Sequence, residues 1–203
     1  CTNAARLQQI TSGKYIFSVE KDAIEIAGFY MKNYPNYAHI VVPTGNSAWG
    51  NIIHHNYFVG RSNTTSEGML VCTGDGMSYS RIENNWFTEQ VSSATYASCI
   101  SVASSAVTCD ITGNYFTIGD SCAVDVAILN MACKSIIADN YFSECGGDGA
   151  GATGGTITIG INMIGTNAAI NNRGAVGTAQ LLNGGTADHS FCITYLCTND
   201  KTQ

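Results

Sequence analysis

The strongest constraint on the fold is a six-residue motif that recurs along the chain. Four successive copies have the pattern Ile-x-x-Asn-(Tyr/Trp)-Phe, and they begin at Ile53, Ile82, Ile111 and Ile137. A variant without the asparagine, IAGFYM, begins at Ile26, and a degenerate copy, INNRGA, begins at Ile170. Consecutive copies are 26 to 33 residues apart, which is a spacing typical of proteins built from stacked structural repeats.

Each repeat predicts three short strands. Alternating runs such as HIVV, GMLV and TITIGI precede the anchor isoleucine, and alternation with a period of two residues is typical of β-strands. We expect strand, turn, strand, short turn at the asparagine, strand and loop, with equivalent strands of neighbouring repeats paired in parallel. The first strands are predicted to begin near Tyr15, His39, Met69, Cys99, Asp125 and Thr156.

These motifs resemble those of the pectate-lyase-like family of right-handed parallel β-helices, over roughly residues 14–177. The resemblance implies an all-β, single-stranded right-handed parallel β-helix of about six coils. We expect residues 1–13 to form an N-terminal cap, with AARLQQI as a short helical or irregular segment. Residues 178–203 break the repeat and are predicted to be a last coil, a cap or a contact segment.

In the resembled family, the motif asparagine lies at the bend between the second and third strands and stacks with its equivalents. Asparagine tolerates the left-handed backbone region, and its amide can bond to an identical amide one coil away. Phe29 takes this position in the first copy, so the ladder is expected to begin in the second. The predicted structural ladder is Asn56, Asn85, Asn114 and Asn140.

Period two also predicts which side chains face the core. The anchor isoleucines and the motif phenylalanines should point inward, and the residue between asparagine and phenylalanine should point outward. The predicted surface aromatic ladder is Tyr30, Tyr57, Trp86, Tyr115 and Tyr141. Such a strip has three interpretations: it shields the sheet, it offers a platform for sugar rings, or it contacts another subunit.

Charge and hydropathy exclude some partners. Only 12% of the residues are charged, against roughly 25% in an average soluble protein, and the net charge is −6. The basic residues are scattered, so we do not expect a nucleic-acid partner. No apolar run reaches the length of about 18 residues that a membrane-spanning helix needs, so no membrane span is predicted.

No metal or cofactor is expected. The nine cysteines lack CxxC spacing, which disfavours a zinc site, and many lie in apolar strands where a thiol behaves as a small hydrophobe. Buried thiols fit folding in a reducing compartment better than secretion. His54 and His55 are adjacent on a predicted strand, so their side chains should point to opposite faces and chelate a metal poorly.

Enzymes of the resembled family act on polyuronates and other glycans, with catalytic groups on the outer face of the first strand and the nearby loops. Here the predicted outer positions of that strand include His39, Val41 and Met69, and they supply a single acid, Asp125. The weak catalytic candidates are Asp120, Asp125, Glu144 and Asp148. They lack a nearby lysine or arginine, and the chain has no paired-aspartate strand motif, which disfavours a polysaccharide lyase or a glycoside hydrolase.

Two functional hypotheses follow. The favoured one is a structural or adhesive β-helix protein, specifically a phage virion component such as a capsid-decoration or tailspike/fibre protein, at the virion or extracellular surface. Its partners would be other virion or surface subunits, copies of itself, or a glycan. The alternative is a carbohydrate-active enzyme or a glycan-binding surface adhesin.

Overall fold

The computed structural model of the chain describes thirteen segments. They are residues 5–8, 15–32, 38–43, 49–60, 69–72, 77–89, 95–102, 106–118, 123–130, 134–144, 156–163, 168–174 and 182–184. Within these segments the regular structure is all-β, in three parallel sheets, and no α-helix occurs.

The chain visits the three sheets in turn, so every third strand returns to the same sheet. Sheet A contains β1 Ala5–Gln8, β4 Phe29–Lys32, β7 Tyr57–Gly60, β10 Trp86–Glu89, β13 Tyr115–Ile118, β16 Tyr141–Glu144 and β19 Arg173–Gly174. Sheet B contains β2 Phe17–Ser18, β5 Ile40–Val42, β8 Leu70–Cys72, β11 Thr95–Val102, β14 Ala123–Asn130, β17 Thr156–Met163 and β20 Leu182–Gly184. Sheet C contains β3 Glu25–Ala27, β6 Ile52–His54, β9 Ser80–Glu83, β12 Cys109–Thr112, β15 Ile136–Ala138 and β18 Ala168–Ile170.

We call three consecutive strands, one from each sheet, a circuit. Strands of neighbouring circuits pair in parallel and in register, so motif residues stand directly above one another. The anchor isoleucines of sheet C and the motif phenylalanines of sheet A are buried, as predicted. Phe58, Phe87, Phe116 and Phe142 stack nearly face to face, with centroids 4.6, 5.1 and 5.0 Å apart. These two columns form the centre of the apolar core.

The two ends of the chain add strands to this arrangement. Residues 5–8 form β1, which pairs in parallel with β4, rather than the helical or irregular segment expected there. The remainder of residues 1–13 lies outside the described residues. In the C-terminal segment, β20 pairs with β17, and the other residues of 178–203 are not among those described.

The sixth repeat is shifted by one residue from its predicted alignment. Ala169, not Ile170, pairs with the anchor Ile137 and is fully buried, whereas Ile170 is exposed. The side chain of Asn172, three residues after Ala169, accepts a hydrogen bond from Asn140. The spacing from anchor to asparagine is therefore kept, and an alanine replaces the isoleucine in the core.

The bend between sheets C and A is made by the residue before the ladder asparagine. Positive φ values occur at Gly28, His55, Asn84, Gly113, Asp139 and Asn171. The expectation that the ladder asparagines themselves adopt this conformation was wrong. Because the preceding residue reverses the chain, the asparagine keeps an ordinary backbone and directs its amide toward the next circuit.

Candidate functional site: an asparagine ladder beside an aromatic strip

The predicted ladder residues form a continuous buried column. The Nδ2 of Asn56 donates to the Oδ1 of Asn85 at 3.1 Å, and Asn85 bonds in the same way to Asn114 at 3.1 Å. The backbone N–H of each lower asparagine donates to the same oxygen. Each Nδ2 also donates to the carbonyl of the anchor residue one circuit below, as Asn85 does to Ile53 at 2.8 Å. An interior ladder amide therefore has its donors and its acceptor satisfied.

The column is longer than the sequence indicated. Asn140 donates to the Oδ1 of Asn172 at 2.9 Å, so the sixth circuit contributes a fifth asparagine. At the lower end, the Oδ1 of Asn56 accepts from the backbone N–H of Phe29 at 3.1 Å. Asn172 was missed because the sixth copy was aligned on Ile170.

A second polar column caps the bend between sheets B and C. The Oδ1 of Asn51 accepts from Ile24 N at 2.8 Å, and the hydroxyl of Ser80 accepts from Asn51 N at 3.0 Å. Higher in the column, the hydroxyl of Ser135 accepts from Cys109 N at 2.8 Å. The residue types vary from circuit to circuit, so no repeated letter revealed this column in the sequence.

The aromatic strip stands on the outer face of sheet A, one residue from the asparagine ladder. Its five members contact one another in order, with centroid distances of 5.3 Å for Tyr30–Tyr57, 5.4 Å for Tyr57–Trp86, 5.9 Å for Trp86–Tyr115 and 5.8 Å for Tyr115–Tyr141. The first pair is stacked, and the other three are tilted. Trp86, Tyr115 and Tyr141 are 43%, 46% and 36% exposed. The indole N–H of Trp86 donates to the hydroxyl of Thr117, which fixes its orientation.

Arginine occupies the next register position at both ends of the strip. Arg6 in β1 pairs with Tyr30, and Arg173 in β19 pairs with Tyr141. The register of sheet A thus reads Arg, Tyr, Tyr, Trp, Tyr, Tyr, Arg from one end to the other. These arginines were not recognised in the sequence because Arg6 precedes the first copy of the motif, and Arg173 lies in the degenerate copy that was aligned on Ile170.

Two of the four catalytic candidates lie in the described part of the chain, on strands of different sheets. Asp125 lies in β14 of sheet B, and Glu144 is the last residue of β16 in sheet A. Asp120 and Asp148 lie outside the described residues. The four-acid cluster therefore stays a prediction.

His39 lies in the core, so its predicted outward orientation was wrong. It precedes β5, where the strand alternation has not yet begun, and its Nε2 lies 3.0 Å from the carbonyl of Val59. Its ring meets Phe58 edge to face. Burial without solvent lowers the pKa of His39 from 6.5 to about 4, and backbone hydrogen bonds oppose that shift only in part.

Two of the nine thiols, those of Cys99 and Cys109, are buried in the core. Cys99 and Cys109 have no exposed surface, and burial raises the pKa of the Cys109 thiol, with a smaller contribution from Asp110. A buried thiol of raised pKa is a weak nucleophile and a weak metal ligand. These cysteines therefore act as packing residues.

No protein-family model, curated protein or solved structure matches the chain significantly. The described segments contain no helix long and apolar enough to cross a membrane. In the same segments, no group of three or more His, Cys, Asp or Glu side chains is arranged to hold a metal ion. The geometry of the aromatic strip and of the columns beside it is therefore the basis for proposing a function.

Proposed function

We propose that the chain is a structural or adhesive protein whose three sheets are the faces of a right-handed parallel β-helix of about six coils. In this proposal the aromatic strip is the surface that contacts another protein subunit. The strand order supports the β-helix, because a chain that visits three parallel sheets in turn winds around a common core. The proposed resemblance to the pectate-lyase-like superfamily concerns the fold and not the activity.

The observation that carries the functional proposal is the composition of the register on sheet A that contains the aromatic strip. Trp, Tyr and Arg are the residues most enriched among those that dominate protein–protein binding energy. Here they occupy seven consecutive register positions, with the aromatic side chains at the centre and an arginine position at each end. A charge-poor strip of this kind supports the core of an interface, with charged residues at its rim.

The ring orientation favours a protein partner over a sugar. Sugars stack on the faces of aromatic rings, but each ring of this strip contacts the next one, and the rings of Tyr30 and Tyr57 stack face to face. The planes of Tyr30 and Tyr57 are nearly parallel, with an interplanar angle of 7°, whereas the other three ring pairs are tilted by 31° to 51°. The strip combines apolar rings with Tyr hydroxyl groups, a combination that suits apolar packing and hydrogen bonding to a protein surface.

The proposal extends to a virion component, such as a capsid-decoration or tailspike/fibre protein. The buried thiols Cys99 and Cys109 support folding in a reducing host compartment before assembly. The regular columns support a stiff body that resists deformation along its length. Partners in this proposal are other virion or surface subunits or copies of the same chain.

Crosslinking in the native assembly tests the proposed interface. A photoreactive phenylalanine analogue at Tyr115 should crosslink to a defined subunit, whereas the same analogue at Tyr79 should not. Tyr79 is a matched control because it is 61% exposed but lies at the bend between sheets B and C. Equal crosslinking from both positions would contradict the proposal.

The enzymatic alternative is tested separately with polysaccharides. Purified protein is incubated with polyuronates and neutral glycans, and new reducing ends and unsaturated products are measured. Cleavage that is abolished by Asp125→Asn or Glu144→Gln, with unchanged crosslinking from Tyr115, would favour the hypothesis of a carbohydrate-active enzyme. The structural proposal expects no cleavage product.

A further inference from the structure

The two adjacent histidines after β6 converge instead of pointing apart. His55 has a φ of 53°, in the left-handed region, so the chain bends between the two residues. The Nδ1 atoms of His54 and His55 lie 2.7 Å apart, and the ring planes are 84° to each other. The expectation that strand alternation separates these side chains was wrong, because His55 belongs to the bend and not to the strand.

Glu25 fixes which nitrogen of His54 is available. The Nε2 of His54 lies 2.7 Å from the carboxylate oxygen Oε1 of Glu25, one circuit below. A carboxylate can only accept, so Nε2 carries the proton, and a neutral His54 presents the lone pair of Nδ1. Histidines that bind metals commonly donate their other ring N–H to a carboxylate in this way.

We propose that His54 and His55 form a surface site for one divalent late transition metal, bound through both Nδ1 atoms and oriented by Glu25. On binding, the proton shared between the two Nδ1 atoms moves to Nε2 of His55, so both ligands are neutral imidazoles. The described residues offer no third side-chain ligand, so water completes the coordination. The site is separate from the aromatic strip and does not depend on the function proposed for it.

The distance between the two Nδ1 atoms is that of a hydrogen bond, and it is also close to the separation of two ligands at a right angle on one metal. Two ligands about 2.0 Å from a metal at a right angle are about 2.8 Å apart, whereas tetrahedral ligands at that distance are about 3.3 Å apart. The observed 2.7 Å is closer to the first value. Cu²⁺ and Ni²⁺ favour such square-planar or tetragonal arrangements with imidazole ligands.

The surroundings suit an exchangeable cation. His54 retains 22% side-chain exposure, and His55 is exposed, so a hydrated ion reaches both rings. Glu83 follows His54 in the register of sheet C, and Arg81 lies 3.6 Å from the Glu83 carboxylate. Arg81 is thus paired with Glu83, and Glu25 places a negative charge next to His54.

Titration of the full chain with Ni²⁺ alone, followed by calorimetry, tests the site. We expect one Ni²⁺ per chain. His55→Asn keeps a residue that tolerates positive φ and should weaken binding at least tenfold. Glu25→Gln should weaken it about tenfold through lost orientation. The matched control, His189→Asn, removes a histidine outside the motif and should leave the affinity unchanged.

Circular dichroism melts of each variant show whether the fold is retained. Wild-type affinity in folded His55→Asn would overturn the proposal, and so would loss of binding only in His189→Asn. Thiolate-to-nickel charge-transfer absorption in the wild type would also overturn it, because binding would then involve cysteine. Reduced affinity in Glu25→Gln with unchanged stoichiometry would support the orienting role of that carboxylate.

Discussion

The asparagine ladder and the aromatic strip are one residue apart in every motif, yet they reverse the usual relation between polarity and burial. Asn85 is fully buried, and Trp86 beside it is 43% exposed. Both columns are stable for the same reason, because each side chain meets its own equivalent in the next circuit. The amides satisfy one another by hydrogen bonds, and each ring contacts the ring of the next circuit. Self-complementarity, more than polarity, determines which residues suit these positions.

Asn85→Ala should have the largest effect and would break the buried column. The change leaves the backbone N–H and Nδ2 of Asn56 and the carbonyl of Ile53 without their partners. We expect a loss of about 3–5 kcal/mol in the free energy of unfolding, measured by denaturant titration. Asn84→Gly, at the exposed neighbouring position with positive φ, is the control and should change stability by less than about 0.5 kcal/mol. A small effect of Asn85→Ala would show that water replaces the ladder bonds.

His39 sharpens the comparison because its buried polar atoms are not all satisfied, unlike those of the ladder. Its Nδ1 has no hydrogen-bond partner in the described part of the chain. Its folded pKa of about 4 is below the ordinary 6.5, so the unfolded chain binds the proton first as the pH falls. Stability should therefore be fully present above pH 6.5 and decrease by about 2–3 kcal/mol toward pH 4.5.

The measurement is the unfolding free energy of wild type and His39→Gln at pH 7 and pH 4.5. The variant lacks the imidazole that titrates, so it should lose less stability over this interval. The carboxyl groups are common to both proteins, so the difference between the two losses isolates the contribution of His39. Equal losses would mean that His39 does not titrate in the unfolding reaction. His39→Leu provides a second variant with an apolar side chain if His39→Gln folds poorly.

Gly113→Ala tests how closely neighbouring circuits approach each other at the bend between sheets C and A. Gly113 has a φ of 65°, and a Cβ there would lie 2.5 Å from Oδ1 of Asn84. We expect a loss of about 1–2 kcal/mol from backbone strain and this contact together. In an Asn84→Gly background only the strain should remain. Gly113→Ala should therefore cost less stability in that background than in the wild type, and a double-mutant cycle measures the difference. Identical losses in both backgrounds would exclude the contact.

Trp86→Ser should have the smallest effect on folding. It removes two ring contacts, with Tyr57 and Tyr115, from a partly solvated surface. We expect about 1 kcal/mol, measured by thermal and chemical unfolding, because cross-strand aromatic pairs contribute modestly. The same variant should strongly reduce crosslinking or assembly through the strip. A large stability loss with intact assembly would assign the strip to folding and not to contact.

The motif predicted the register wherever its letters were intact. Ile53 to Ile137 and the four asparagines stand above one another because identical residues define both spacing and contact. The prediction failed where different residue types occupy equivalent positions and make equivalent contacts. Ala169 replaces an isoleucine, and Ser80 and Ser135 perform equivalent roles to Asn51 with different side chains.

The remaining differences concern bends, where period two does not apply. The interior position of His39 and the convergence of His54 and His55 both depend on residues just outside a strand. Gly28, Gly113, Asp139 and Asn171, before the ladder positions, carry the residue types that tolerate positive φ, and they were the available signal. The aromatic strip followed from alternation alone, but its arginine ends required the pairing of β1 and β19.

The ladder has a further consequence for how such a chain gains or loses length. Neighbouring ladder asparagines are 29, 29, 26 and 32 residues apart, yet the amide contacts span only 2.9 to 3.1 Å. Loops absorb the difference, so one circuit is interchangeable with another. Excision of residues 85–113 would join Asn84 directly to Asn114 and let Asn56 bond to Asn114 in place of Asn85. The number of circuits can therefore change without loss of the ladder contacts. Related proteins should differ in length by whole motifs or by loop insertions, not by single residues added within a strand.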